Sequence, residues 1–253
     1  MPRFRLTVEY DGRALVGWQK QDNGPSVQSF LEAAGERLAG HAVEMVAAGR
    51  TDAGVHASGQ VVHVDIDKDL HADRVRDGLN FWLFSEPPPA PVTVLRAERA
   101  REDFHARFSA IGRQYCYRIV NRRAPLTFDR GLAWQVGKKL DTDAMHRAAQ
   151  RLLGHHDFSS FRAVECQAKS PLKTLDRLDV MRHGEDILIH AAARSFLHHQ
   201  VRNMVGSLKW VGEGRWGADD LEAALRACDR SKGGPTAPPD GLTLTGVIYP
   251  ADA

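Results

Sequence analysis

The 253 residues are enough for one large domain or two smaller ones with a real buried core, and 43% hydrophobic with 26% charged side chains is an ordinary globular balance. A net charge of +2 is too weak by itself to point to a polyanion, so any nucleic-acid affinity has to come from local clusters. Three cysteines (Cys116, Cys166, Cys228) are odd in number and form no C-x-x-C pair, which argues against a disulfide framework or a zinc knuckle and fits a reducing compartment. No apolar run approaches the ~20 residues needed to span a bilayer. The opening MPRFRLTVEYDG reads as a strand and not as a signal peptide. The expectation is a soluble, cytoplasmic protein with no membrane partner.

In chain order, Phe4, Leu6, Val8 and Tyr10 alternate with polar residues as in a half-buried strand. Asp11-Gly12 turns the chain. Ser26 is placed to cap a helix carrying Val27, Phe30, Leu31, Ala34 and Leu38. Strands are expected at 43–47 and 60–66, the second with Val62, Val64 and Ile66 inward. A helix with Val75 and Leu79 follows, then a Pro-rich link over 87–91 and a strand over 92–98. The order β-α-β-β-α-β then repeats. A strand covers 113–120, with Tyr115, Tyr117 and Ile119 on one face. Asp141 caps a helix carrying Met145, Ala148, Ala149 and Leu152, and Gly154 suits its C-terminus. Strands at 173–182 and 187–193 are joined by the turn 183–186. A helix bearing Val201, Val205 and Leu208, an extra helix near 221–228 and a last strand over 242–249 complete the chain.

This order predicts an α+β protein of two ferredoxin-like (β-α-β-β-α-β) halves with antiparallel sheets. The halves are expected at 1–105 and 106–253, with the seam near 101–112. RNA-recognition domains share this topology, so sheet order alone does not separate a binder from an enzyme.

Chemistry concentrates in Ala48-Gly49-Arg50-Thr51-Asp52-Ala53-Gly54-Val55-His56. Two glycines bracket a guanidinium, a hydroxyl and a carboxylate in a loop between strands, where function usually sits. The competing reading is a turn in which Asp52 and Thr51 satisfy loop N–H groups. Arg107, Arg113, Arg118, Arg122 and Arg123 form a basic stretch, which can equally be a solvated surface. The pairs His155-His156 and His198-His199 lack a good chelating geometry on a strand or a helix, and no cysteine or acid stands at ligand spacing, so no metal is expected.

GRTDAGVHASGQVVHV closely resembles the active-site motif of the tRNA pseudouridine synthase A (TruA) family. VGWQKQ, FHARFSAIGRQYCYRI, HDFSSFRAVECQ, SFLHHQVRNMVGSL and GPTAPPDGLTLTGVIY agree with that family in the expected order, over nearly the whole chain. The resemblance implies an isomerase that turns uridine into pseudouridine at positions 38 to 40 of the tRNA anticodon stem-loop. It also implies that no cofactor is needed and that the protein works as a homodimer, one tRNA touching both subunits.

The same resemblance makes Asp52 the nucleophile. A carboxyl with the usual pKa of ~3.9 is ionised at neutral pH and needs no base to activate it. Attack on C1′ and expulsion of the base as a glycal both remain open. Arg202 corresponds to an arginine that pairs with the catalytic carboxylate, and Tyr115 to a tyrosine that stacks on the target base. Tyr117, on the same face, reads as core. Arg50 corresponds to an arginine that helps flip the base by filling its space, with a plain phosphate contact as the alternative. Phe104, His105, Ala106, Arg107 and Phe108, together with Glu165, Cys166, Gln167, Ala168 and Lys169, match stretches that contact tRNA. Leu242 and Leu244 match the pocket floor or simply pack in the core. Because Asp52 belongs to the first half and Tyr115 and Arg202 to the second, a central active-site cleft is expected. Two departures stand out: the aromatic and Pro-rich run Asn80 to Pro89, and Gln114 where a second basic residue often stands. A non-catalytic RNA-binding module on the same fold is the alternative.

Overall fold

The computed structural model describes residues 1–85 and 87–251. Glu86, inside the aromatic and Pro-rich segment, lies outside the described residues, as do the last two positions. In chain order the elements are β1 (Arg3–Tyr10), α1 (Val27–Ala39), β2 (Val46–Ala47), β3 (His56–Asp65), α2 (Ala72–Phe84), β4 (Val92–Ala100) and β5 (Gly112–Val120). They continue with β6 (Trp134–Gln135), α3 (Thr142–Ala149), β7 (Gly154–Asp157), β8 (Leu172–His183), β9 (Asp186–Ala193), α4 (Gln200–Gly212), α5 (Ala218–Arg226) and β10 (Leu242–Ile248). The architecture mixes helices with mostly antiparallel strands. Among the described residues no helix is long and apolar enough to cross a membrane.

The chain divides into two compact units, Met1–Ile111 with Thr243–Ala253, and Gly112–Leu242. The chain passes from the first unit to the second between Ile111 and Gly112. The last strand departs from the sequence reading, which put it with the second half. From Thr243 onward it belongs to the first unit, where Thr243 and Leu244 pair with His56 and Ala57 of β3 in parallel. Such a return to a strand nearly 190 residues earlier has no local signature.

In the first unit β1 lies between β4 and β3, antiparallel to both. The far edge of β3 is shared by β2 at one end and β10 at the other. The alternation in β1 does what it predicts: Phe4, Leu6, Val8 and Tyr10 are all buried. Each such burial is worth at most roughly 1.5–3 kcal/mol. Ser26 caps α1 by a reciprocal pair of bonds, its Oγ accepting from the Ser29 N–H and the Ser29 Oγ accepting from the Ser26 N–H. Gly40, in the left-handed region at φ +81°, ends the helix.

β3 is buried on both faces, where the sequence pattern showed one inward face. Val62 and Val64 fill the first; Val61 packs on the second with Ala48, Phe104 and Ala106, closed over by Val247 and Tyr249. The Tyr249 hydroxyl donates to the Ala106 carbonyl at 2.6 Å, and the Arg5 guanidinium lies 4.5 Å from the Tyr249 ring centre.

In the second unit β9 lies between β5 and β8, and β7 adds the outer edge, all antiparallel. β6 pairs in parallel with the end of β5. The α3 helix starts at Asp141, whose carboxylate accepts from the Ala144 N–H at 2.9 Å. It lies on β8 and packs against α4 and α5. The strands β6 and β7 escape sequence reading because Trp134-Gln135 and Gly154-His155-His156-Asp157 carry no apolar alternation. Gly154 (φ +100°) closes the turn after α3 and opens β7 in one residue.

Candidate active site

Asp52 lies half-buried in the loop between β2 and β3. The backbone there is held from two sides. Gly54 adopts φ +78°, its N–H donates to Leu15 O at 3.3 Å, and the Val55 N–H donates to Asp52 O at 3.2 Å. On the other side the 12–18 segment runs along the loop. The Trp18 N–H donates to Thr51 O at 3.1 Å. A Cβ on Gly17 (φ +103°) would stand 2.5 Å from that carbonyl oxygen, and one on Gly12 would stand 2.2 Å from Val55 O. Only glycine permits backbones this close.

Of the two bracketing glycines, Gly54 fills the conformational role the sequence suggested. Gly49 meets open space and shows no left-handed φ. The residues missed in sequence are Gly12 and Gly17. Gly12 showed only as part of the Asp11-Gly12 turn, and Gly17 only as a glycine inside the otherwise apolar Val16-Gly17-Trp18.

Below the loop Thr51 is buried, and its hydroxyl lies 2.9 Å from the buried Tyr10 hydroxyl. Gln60, with no exposure, donates to Gly49 O at 2.8 Å and to the Tyr10 oxygen at 3.4 Å. Arg50 points outward and is exposed. At the loop exit the His56 Nδ1 accepts from the Gly12 N–H at 3.1 Å. Asp11, held by Arg13, has its carboxyl below the usual range.

The 104–108 segment divides in two. Phe104 and Ala106 are interior, so their side chains hold the loop to β3 and are not available for an RNA contact. Arg107 and Phe108 are exposed. The Phe108 ring stacks on His105 with centroids 4.4 Å apart, and His105 lies 4.7 Å from His63. The Arg107 and Phe108 N–H groups both donate to the His105 Nδ1, at 3.1 and 3.3 Å, which fixes the tautomer with its proton on Nε2. Arg3 anchors the start of the loop, with a two-bond fork to Asp65 at 2.8 and 2.7 Å and a further bond to Phe104 O at 2.8 Å.

His63 is buried, and its Nδ1 accepts from the Ala106 N–H at 3.2 Å. Burial, with the Arg3 and His105 charges adding, pushes its pKa down to about 4, against a smaller opposing effect of Asp65. His105 is also lowered, by burial first. The hollow that His63 faces is lined by Arg3, His41, Glu44, Asp65 and His105. In the unfolded chain His63 takes up its proton near ~6.5, whereas the native ring resists until about 4. The unfolded state therefore binds more protons between those values, and stability is lost as pH falls through that window. Melting temperature should drop on going from pH 7 to pH 5. His63→Gln, which keeps a neutral acceptor, should flatten that slope; an unchanged slope would show that His63 does not set it.

In the second unit, half-buried Tyr115 on β5 pairs with Ala191 and meets Phe196 edge-on at 5.3 Å. Tyr117 is fully buried and donates to Pro238 O at 2.8 Å, and burial pushes its phenol pKa up. It is a core tyrosine. Arg202, half-buried in the first turn of α4, donates from Nε to Ala237 O at 2.8 Å, while the Ala237 N–H donates back to Arg202 O at 3.1 Å.

Within 165–169, Glu165, Gln167 and Lys169 are exposed, but Cys166 is interior: its Sγ accepts from the His198 N–H at 3.4 Å. The Arg162 guanidinium clasps this loop through Cys166 O and Ala168 O. Leu242 is buried in this unit, as Leu244 is in the first.

The basic stretch is less basic than it reads. Arg113 is buried and bonds Arg194 O, Arg118 pairs with Asp129 and Asp186, and Arg122 pairs with Glu185. Those three arginines are engaged by their own unit. His155 and His156 bond Thr174 Oγ1 and Leu153 O. His198 and His199 sit in the turn before α4, on neither helix nor strand, with ring centres 4.0 Å apart.

The structure thus fixes a carboxylate loop by its backbone and ties an α4 arginine to the Ala237 backbone. The family model for tRNA pseudouridine synthase matches residues 6–109 and 148–250. The chain is 64% identical over 251 residues to tRNA pseudouridine synthase A of Paramagnetospirillum magneticum, covering 99% of this chain and 96% of that protein. It is 58% identical over 253 residues to the protein of the same name from Maricaulis maris, covering 100% of both chains. A Rhodopseudomonas palustris relative (strain BisA53), again tRNA pseudouridine synthase A, shows 59% identity over 249 residues, 98% of this chain and 100% of the relative. The chain therefore belongs to the tRNA pseudouridine synthase A family and is an isomerase that makes pseudouridine in tRNA.

Proposed function

We propose that this isomerase acts on uridines 38 to 40 of the tRNA anticodon stem-loop, with Asp52 as nucleophile. Family membership over nearly the full chain supports the reading, and the observation that carries it is the clamped backbone of the Asp52 loop. The reaction breaks the N1–C1′ bond and forms a C5–C1′ bond. The proton on C5 is lost to water and N1 gains one, so the net change is an isomerisation with no electrons transferred. A carboxylate held in one place by its backbone is suited to meeting C1′ of a nucleotide turned out of its stem.

In this reading Arg202 pairs with the catalytic carboxylate and Tyr115 stacks on the extruded base. Arg50, exposed on the Asp52 loop, fills the space the base leaves. Arg107, Phe108, Glu165, Gln167 and Lys169 meet the tRNA through their side chains, and Phe104, His105, Ala106, Cys166 and Ala168 shape those loops. The halves are read as ferredoxin-like, which the β4-β1-β3-β2 order of the first unit and the β5-β9-β8 order of the second support. The protein is read as a cytoplasmic homodimer. The test is incubation of pure protein with unmodified tRNA, followed by carbodiimide labelling and primer extension. Stops at 38 to 40 are the expected result. Stops confined to another region of the tRNA would overturn the site assignment.

A further inference from the structure

The Asp52 loop is pinned from beneath by a chain of buried, hydrogen-bonded polar groups. Gln60, with no exposure, has one amide nitrogen. It donates to Gly49 O at 2.8 Å and to the Tyr10 oxygen at 3.4 Å, while its Oε1 takes the Val61 N–H at 3.2 Å. The Tyr10 hydroxyl, which accepts from Gln60, also shares a hydrogen bond with Thr51 Oγ1, 2.9 Å away, in which either hydroxyl can donate. Thr51 is thus held twice, by its hydroxyl from Tyr10 and by its carbonyl from the Trp18 N–H at 3.1 Å. It is the residue immediately before Asp52. A phenol buried at the end of a core strand is costly unless its hydroxyl is bonded, and phenylalanine would fill the same space without that cost.

We propose that Tyr10, backed by Gln60, is a positioning residue for the reaction: its hydroxyl fixes Thr51 and through it the aim of the Asp52 carboxylate. The proposal rests on the reading of Asp52 as nucleophile. Burial raises the Tyr10 phenol pKa to about 12, which keeps it protonated throughout the physiological range.

The test is tritium release from tRNA labelled at uridine C5, with kcat and KM determined separately. Tyr10→Phe and Thr51→Val should each lower kcat by about 10- to 100-fold, the range expected when a reacting group is displaced by a fraction of an ångström to an ångström. KM for tRNA should stay within about threefold, because neither side chain reaches the surface. Thr51→Ser, which keeps the hydroxyl, should restore most of the rate. The double variant Tyr10→Phe/Thr51→Val should be no slower than the slower single one, since both remove one bond.

A full kcat in Tyr10→Phe overturns the proposal, as do losses confined to KM and single-variant losses that multiply in the double. If Tyr10→Phe does not fold, the contrast between Thr51→Val and Thr51→Ser decides: equal rates overturn the proposal. Asp52→Asn is assayed alongside. Activity in that variant would sink the nucleophile reading itself, whereas an inactive Asp52→Asn with a fully active Tyr10→Phe would remove only the positioning role.

Discussion

Asp52→Asn should reduce tritium release from uridine-labelled tRNA by roughly 10⁴-fold or more, the scale on which loss of a catalytic nucleophile is felt, while tRNA binding changes by no more than about threefold. The amide is nearly the same size as the carboxylate but carries no charge and is a poor nucleophile. The backbone that holds the loop depends on groups the substitution leaves alone: the Asp52 carbonyl still accepts from Val55, and Thr51 O still accepts from Trp18. The protein should therefore fold with a near-native melting temperature. A 10⁴-fold loss is about 5.5 kcal/mol of transition-state stabilisation. That is too large to come from a half-buried side chain merely satisfying a turn, which is worth about 1 kcal/mol. The assay thus separates the two readings of the loop. Residual activity within tenfold of wild type would return Asp52 to the role of a turn residue and move the chemistry elsewhere.

The parts of this protein that sequence reveals are those whose cause is local. Phe4, Leu6, Val8 and Tyr10 alternate because one face of β1 meets the core, and Ser26 and Asp141 announce helices because a cap acts within three residues. The Asp52 loop was visible as a polar segment between glycines, and the match to family motifs, not its physics, singled it out. What stayed hidden depends on partners far away in the chain. Tyr10 reads as one more inward residue of an alternating strand; only its distance to Thr51, 41 positions on, shows a different task. His63 reads as a polar interruption of Val61-Val62-His63-Val64, and it is buried because the 104–106 segment supplies an N–H for its ring. The arginines from 113 to 122 read as a basic surface until Asp129, Glu185 and Asp186, brought over by the turn into β9 and the 121–133 loop, are seen to engage Arg118 and Arg122. In the same way Phe104, Ala106 and Cys166 share motifs with exposed neighbours and differ from them only in the direction their side chains take.

Gly206→Ala tests a second non-local constraint and should be the most damaging conservative change in the Gly112–Leu242 unit. Helix propensity alone predicts a gain of about 1 kcal/mol, since Gly206 lies in the interior of α4. Packing predicts the opposite. A Cβ there would stand 1.7 Å from Pro235 O and 2.8 Å from Pro235 C, both backbone atoms. The Pro235 segment cannot simply retreat. Gly234 N–H donates to Ser207 Oγ at 2.9 Å, Thr236 Oγ1 to Asn203 Oδ1 at 2.6 Å, and Arg230 to both Gly234 O and Asn203 Oδ1 at 3.0 and 3.1 Å. Asn203 is itself tied to Phe161 O at 2.8 Å. Displacing the loop breaks several of these buried or partly buried bonds at once, at about 1 kcal/mol each, so the net effect should be a loss of roughly 2–4 kcal/mol in denaturant unfolding. The functional consequence follows from Ala237, which exchanges two bonds with Arg202 at 2.8 and 3.1 Å. A shifted loop lets the guanidinium swing, and if Arg202 pairs with the catalytic carboxylate as proposed, turnover should fall by about 10²-fold even below the melting transition. Gly137→Ala is the control: its Cβ would meet nothing closer than 3.8 Å, so stability should stay within about 0.5 kcal/mol. If Gly206→Ala instead melts higher than wild type, helix propensity outweighs the contact with Pro235, and the tight seat of this loop on α4 is not what holds Arg202 in place.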